Sequence, residues 1–182
     1  VQSAGKASGF GAVLKGLKAA PYYWGGICAL ILADQIVKLW MLAEVFSPPR
    51  IIVVTSFFNL VPVWNRGISF GLFATYPDLV RLATILIAIF VVIWLARQFL
   101  HYPPLVKLAA AGIIAGAIGN MIDRIVYGMV VDFLDFHLAG KHWPAFNIAD
   151  MAISCGVFLW VCAILTGRDR MPADEASDTT TQ

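Results

Sequence analysis

Four long apolar runs dominate the chain, at about Tyr22 to Val45, Leu79 to Ala96, Leu105 to Ile122 and Ile148 to Thr166. A helix needs roughly 20 mostly apolar residues to cross a hydrocarbon core of about 30 Å, and each run is long enough. Backbone N–H and C=O groups cannot go unpaired in lipid, so each run is predicted to be a helix. The polar alternation of a membrane barrel is absent. Breaker residues separate the runs. Ser47-Pro48-Pro49 closes the first, and Tyr76-Pro77-Asp78 opens the second with Asp78 as the expected N-cap. His101-Tyr102-Pro103-Pro104 divides the second from the third, and Gly140 to Pro144 precedes the fourth. The first run is long and carries charges, so it is expected to stay as a span rather than be cleaved as a secretory signal.

The two loops at one end of the spans are not simply hydrophilic. Arg50-Ile51-Ile52-Val53-Val54-Thr55 is β-branched and predicts a strand, and Phe57 to Val63 predicts a second. They would form a small sheet on the membrane surface. Phe133, Leu134, Phe136, Leu138 and Trp143 stand among polar residues in the third loop, which predicts a short interfacial helix. The expected architecture is a mainly α membrane protein: four transmembrane helices, a small extracytoplasmic β-sheet loop and an interfacial helix. Residues 1–21 are read as a cytoplasmic segment, 22–166 as the transmembrane unit, and 167–182 as a polar, acidic, disordered cytoplasmic tail.

Composition agrees. Of 182 residues 60% are hydrophobic and only 13% charged, with a mean hydropathy of +0.79; soluble domains are about 45–50% apolar and about 25% charged. A net charge of +2 with no cluster of Lys and Arg leaves no nucleic-acid footprint. Cys28, Cys155 and Cys162 lie inside apolar runs at spacings that fit neither a disulfide framework nor a zinc site. Lys and Arg near the span ends set orientation. Lys6, Lys15, Lys18, Arg97, Lys107, Arg168 and Arg170 fall on the side of the termini, against Arg50, Arg66, Arg81, Arg124 and Lys141 on the other. The bias favours both termini in the cytoplasm.

Ionisable residues inside membrane spans are costly, so each needs a reason. Asp34 and Lys38 stand at i, i+4 on one face of the first span, either as a neutralised packing pair or as substrate-positioning groups. Asp123 and Arg124 end the third span, Asp132 follows in the loop, and Asp150 opens the fourth span. Asp132 and Asp150 come from opposite ends of one loop and can approach each other. Two close carboxyl groups cannot both ionise easily and tend to share a proton. Such a pair can take a proton from water and give one to a carbonyl; it can also serve a transporter's proton relay. Asn65, Asn120 and Asn147 lie near the same face as donors to a carboxylate or substrate backbone, or as helix caps and turn residues. Arg124 could meet a substrate carbonyl or a lipid phosphate, or pair with Asp123. Gly67 and Gly119 allow close backbone approach, and Gly112 with Gly116 forms a G-x-x-x-G packing motif.

Four segments, in order, resemble the bacterial lipoprotein signal peptidase family. Asp34-Gln35-Ile36-Val37-Lys38 resembles its D-x-x-x-K, and Asn65-Arg66-Gly67-Ile68-Ser69-Phe70 its N-x-G-x-A-F, with Ser69 in place of Ala. Gly119-Asn120-Met121-Ile122-Asp123-Arg124, Gly128 and Val130-Val131-Asp132-Phe133 resemble G-N-x-x-D-R…G-x-V-V-D-F. Phe146-Asn147-Ile148-Ala149-Asp150 matches F-N-x-A-D. The likeness covers about residues 22 to 166. It implies a multi-pass aspartyl endopeptidase (signal peptidase II) of the bacterial cytoplasmic (inner) membrane, with its active site near the outer face. Such an enzyme removes signal peptides from prolipoproteins carrying diacylglyceryl on the lipobox cysteine. It implies Asp132 and Asp150 as the catalytic pair and Asp123 as support, with no metal and no cofactor. Membrane lipids and the cyclic peptide globomycin are the further partners it implies.

Competing readings fare worse. Gly67-Ile68-Ser69-Phe70-Gly71 spells G-x-S-x-G, but a nucleophile elbow needs an α/β sheet. His101, His137 and His142 all fall in loops, and H-E-x-x-H is absent. A transporter using Asp34, Asp123, Asp132 and Asp150 would need polar groups through the membrane depth, yet the second span has none in its middle. A scaffold would need no aspartates beside asparagines at the interface.

Overall fold

The computed structural model describes residues 21–66 and 77–170. Among the described residues, four helices are long and apolar enough to cross a membrane. They are α1 (Pro21–Glu44), α2 (Pro77–Gln98), α3 (Pro104–Val126) and α4 (Ile148–Leu165). A 3-10 turn, Phe99–His101, follows α2. The strands are β1 (Ile52–Thr55), β2 (Phe58–Asn65), β3 (Val130–Leu138) and β4 (Lys141–His142), forming one antiparallel sheet in the order β1-β2-β3-β4.

Each helix begins where its chemistry allows. Pro104 occupies the first turn of α3, where its missing N–H has no intrahelical partner to lose. Asn147 caps α4 in a reciprocal capping box with Asp150. Asp78 is not the cap expected for α2: the helix starts at Pro77, and Asp78 sits inside the first turn, 3.1 Å from Arg81. There its charge complements the helix dipole.

The helix α3 is the axis of the bundle and packs against α1, α2 and α4. Its small residues explain this. A Cβ on Gly116 would collide with the Ala149 carbonyl oxygen and lie 2.7 Å from the Ile153 side chain; one on Gly156 would lie 2.6 Å from the Ala109 carbonyl. The G-x-x-x-G stretch is therefore the contact that lets α3 and α4 meet backbone to backbone. By contrast Leu32, Ile36, Leu82, Leu86, Phe90, Phe158 and Leu165 are exposed on the outside, an apolar surface suited to lipid. One buried cluster (Ile27, Leu95, Phe99, Ala110, Ile114) lies away from the sheet. Another (Met41, Val45, Phe46, Val131, Phe133) joins α1 to the sheet.

The third loop corrects the expectation of an interfacial helix. Val130–Leu138 is a strand that pairs along β2, and a hairpin through Ala139 and Gly140, both at positive φ, returns the chain to β4. Pairing with β2 gives the backbone of this segment its hydrogen bonds, and its aromatic side chains pack on the sheet: Phe136 stacks on Phe58 and Phe146. The register of β2 and β3 shifts between Leu60 and Val63, around Pro62, where a strand tolerates a residue that cannot donate. Asn59 faces Asp135 before the shift, while Val63 faces Asp132 after it. An unbroken register would put Asn65 on the Asp135 face; the bulge turns it toward Asp132.

Candidate active site

The site forms where the sheet meets α3 and the start of α4. Asp132 lies on β3, 1% exposed, and Asp150 in the first turn of α4. Phe146 carries the chain along β3 by backbone bonds with Leu134 of 2.9 and 3.1 Å, which brings Asn147 and Asp150 beside Asp132. Both aspartates line one cavity of about 880 Å³, together with Asn65, Arg124, Trp143 and Phe146.

Three asparagines furnish the donors. Asp132 accepts from the Asn147 amide at 2.7 Å on one oxygen and from the Asn65 amide at 2.9 Å on the other. Asp150 accepts from the Asn120 amide at 2.7 Å and from the Asn147 backbone N–H at 3.2 Å. Each of the four carboxyl oxygens thus has one N–H partner and keeps lone-pair capacity for a proton or water. Burial, and then the neighbouring charge of Asp150, push the Asp132 carboxyl up to about 7, against the hydrogen bonds from Asn65 and Asn147 and the charge of Lys38. A carboxyl in that state can donate a proton near neutrality.

Beneath the pair lies a buried ionic support. The Lys38 ammonium is 2.8 Å from Asp34 and 2.9 Å from Asp123, all three nearly inaccessible. Its third contact is the Asn120 side-chain oxygen at 3.1 Å. Lysine only donates, so Asn120 must present its oxygen to Lys38 and its NH₂ to Asp150. The same oxygen accepts from Asn147 at 3.0 Å. Lys38 therefore fixes the orientation of Asn120 and, through it, of Asn147, two of the three amides that face the aspartates. Asp34 also accepts the Ala149 backbone N–H at 2.9 Å, one of the donors a helix start leaves unpaired. Gly119 makes room, since a Cβ there would come within 2.7 Å of Asp34 Oδ2. Asp123 accepts the Val131 N–H at 3.1 Å, tying α3 to β3.

The ten residues singled out from sequence fall as follows. Asp34, Lys38, Asn65, Asn120, Asp123, Asp132, Asn147 and Asp150 belong to one connected network. Asn147 serves both as helix cap and as carboxylate donor. Arg124 lines the cavity and donates to the Asn120 carbonyl at 3.2 Å, while Asp123 pairs with Lys38 instead. Gly67, like the G-x-S-x-G stretch, lies outside the described residues. Gln35 was missed: its amide reaches Asp34 and Asp123, each at 3.1 Å, and the Gly119 carbonyl at 3.2 Å. A glutamine in a membrane span is itself a polar group needing a partner, and that signal was available.

Comparison with known proteins agrees with this geometry. The family model described as Signal peptidase (SPase) II matches residues 27–166. A lipoprotein signal peptidase of Burkholderia multivorans is 44% identical over 142 residues, covering 76% of this chain and 84% of that protein. One from Burkholderia mallei is 42% identical over the same shares. Among solved structures, a bacterial membrane enzyme determined by the in meso method at 2.3 Å is similar with a TM-score of 0.66 and 28% identity, over 77% of this chain and 85% of that one. A second, at 1.9 Å, has a TM-score of 0.61 and 30% identity, over 76% and 89%. The chain belongs to the signal peptidase II family, multi-pass aspartyl endopeptidases that remove signal peptides from bacterial prolipoproteins.

Proposed function

We propose that Asp132 and Asp150 are the catalytic pair of this peptidase, sharing one proton. The supporting observation is their placement in one cavity, each carboxyl held by two N–H donors, with Asp132 pushed up to about 7. The ionised member takes a proton from water, whose oxygen adds to the carbonyl carbon preceding the lipidated cysteine. The protonated member gives its proton to the carbonyl oxygen. The resulting diol collapses: the C–N bond breaks, the cysteine nitrogen takes the proton accepted from water, and a diol hydroxyl returns its proton to the carboxylate that gave one, which re-forms the carbonyl and restores the pair. The pair's titration belongs to both residues together.

Asn65, Asn120 and Asn147 hold the carboxyl groups in place, with Lys38, Asp34 and Asp123 as the buried support. Arg124, on the cavity wall, suits a substrate carbonyl or the phosphate of a membrane lipid. Gly67 is carried as a supporting site residue on its motif alone. The unit spans 22–166, with 1–21 and 167–182 flanking it in the cytoplasm. The Lys and Arg bias supports both termini inside, which puts the sheet and the cavity at the outer face of the bacterial inner membrane. A globomycin-type cyclic peptide would occupy the same cavity.

The test is cleavage of diacylglyceryl-modified prolipoprotein by purified protein in detergent. Asp132→Asn and Asp150→Asn are expected to lose cleavage while still inserting and folding. Near wild-type turnover by either variant would show that the pair is wrongly assigned.

A further inference from the structure

The strand that carries Asp132 also carries a second buried carboxylate the chemistry above does not use. Asp135 is three residues further on, so it points to the opposite face of the sheet. It is 5% exposed, accepts the Asn59 amide at 3.0 Å, and meets His142 Nδ1 at 2.8 and 3.0 Å through its two oxygens. Burial would raise this carboxyl, but the hydrogen bonds from His142 and Asn59 outweigh it and hold Asp135 below the ordinary carboxylate range. One anionic side chain thereby joins β2, β3 and β4.

What this joint holds in place is the outer wall of the cavity. Trp143 follows His142 directly, and Trp143, Phe146 and Phe136 all line the space around Asp132 and Asp150. Backbone bonding there is sparse. The strand β4 has only two residues, Lys141 and His142, and beyond it the Trp143 N–H reaches the Phe136 carbonyl at 2.7 Å. Pro144 has no N–H to give, and regular pairing resumes only at Phe146. Trp143 is 67% exposed, so burial does little to hold it. The side-chain bond from Asp135 to His142, backed by stacking of His142 on His137 at 4.8 Å, carries the remaining restraint.

We propose that Asp135 and His142 are positioning residues that set substrate affinity by fixing the Trp143 wall of the cavity. They touch neither the scissile bond nor the catalytic pair, so their loss raises KM and leaves kcat and its pH profile in place. The inference rests on the cavity around Asp132 and Asp150 being the active site.

The experiment measures kcat and KM for diacylglyceryl-modified prolipoprotein in detergent micelles, with wild type, His142→Ala, His142→Asn and Asp132→Asn. The histidine is 56% exposed, so truncating it leaves the core intact. Asparagine can place its amide where Nδ1 stands and donate to Asp135; alanine cannot. His142→Ala is expected to raise KM about three- to ten-fold, the loss of one partly exposed charge-assisted bond, with kcat within about two-fold. His142→Asn is expected to restore most of the affinity. An unchanged KM in His142→Ala, or the same KM rise in both variants, overturns the proposal. Retained cleavage by Asp132→Asn would instead reject the active-site assignment, so the two failures are distinguishable.

Discussion

Replacing Lys38 with methionine tests the buried support most sharply. The side chain stays unbranched, one atom shorter, and loses its charge. Lys38 is 2% exposed, between Asp34 at 2.8 Å and Asp123 at 2.9 Å, with Asn120 as its third partner. The change leaves two buried carboxylates without their cation. Breaking a buried ion pair from one side costs about 3–5 kcal/mol, because an uncompensated charge stays behind. At about 2–4 °C per kcal/mol for a chain of this size, Lys38→Met should unfold roughly 6–20 °C lower. Thermal unfolding of the detergent-solubilised protein, followed by tryptophan fluorescence, reads this directly. The triple variant Asp34→Asn/Lys38→Met/Asp123→Asn removes all three charges together and should recover more than half of the loss, since no naked charge remains. Activity separates from stability: without Lys38 the Asn120 side-chain oxygen keeps only the Asn147 donor, so the amide that faces Asp150 is held less firmly and kcat should fall even well below the melting temperature. Lys38→Met melting within about 3 °C of wild type, or a triple variant less stable than Lys38→Met, would show that the buried cation does not hold the two carboxylates.

Three further outcomes follow from the geometry. The raised Asp132 carboxyl binds a proton in the folded chain where the unfolded chain, near its ordinary 3.8, has released it; stability should therefore decline as pH rises from about 4 to about 7, and kcat/KM should fall on the alkaline side of about 7, read by melting curves and pH–rate profiles. Gly116→Ala should push α3 from α4 and cost about 1–3 kcal/mol, whereas Gly25→Ala, where a Cβ meets nothing within 4 Å, should melt like wild type. Chelators should leave the cleavage rate unchanged; a loss restored by zinc would contradict a metal-free pair.

The spans were legible because lipid imposes a simple rule. A run of apolar residues must satisfy its own backbone, and α1 to α4 begin and end within a few residues of the apolar runs. The strands β1 and β2 were readable from β-branched residues for the same local reason. The strand β3 was not, because its acids at 132 and 135 stand three residues apart, a spacing that suits one face of a helix but puts them on opposite faces of a strand. Both of its faces are used, one toward α4 and one toward His142. The motifs located Asp132 and Asp150, but not how they are held. The Asn120 link between Lys38 and Asp150 crosses three helices, and no local pattern encodes it. Pro62 was a readable hint of the bulge that turns Asn65 inward, since proline in a strand interior marks such a break.

The chemistry depends on two carboxyl groups working as one unit. Single-turnover rates for Asp132→Asn, Asp150→Asn and the double variant, on one lipid-modified substrate, measure this. If the residues act together, all three variants fall to the same floor, because losing either partner already removes the shared proton. Losses that multiply in the double variant, or a single variant that stays well above the floor, would show two independent groups in place of a pair.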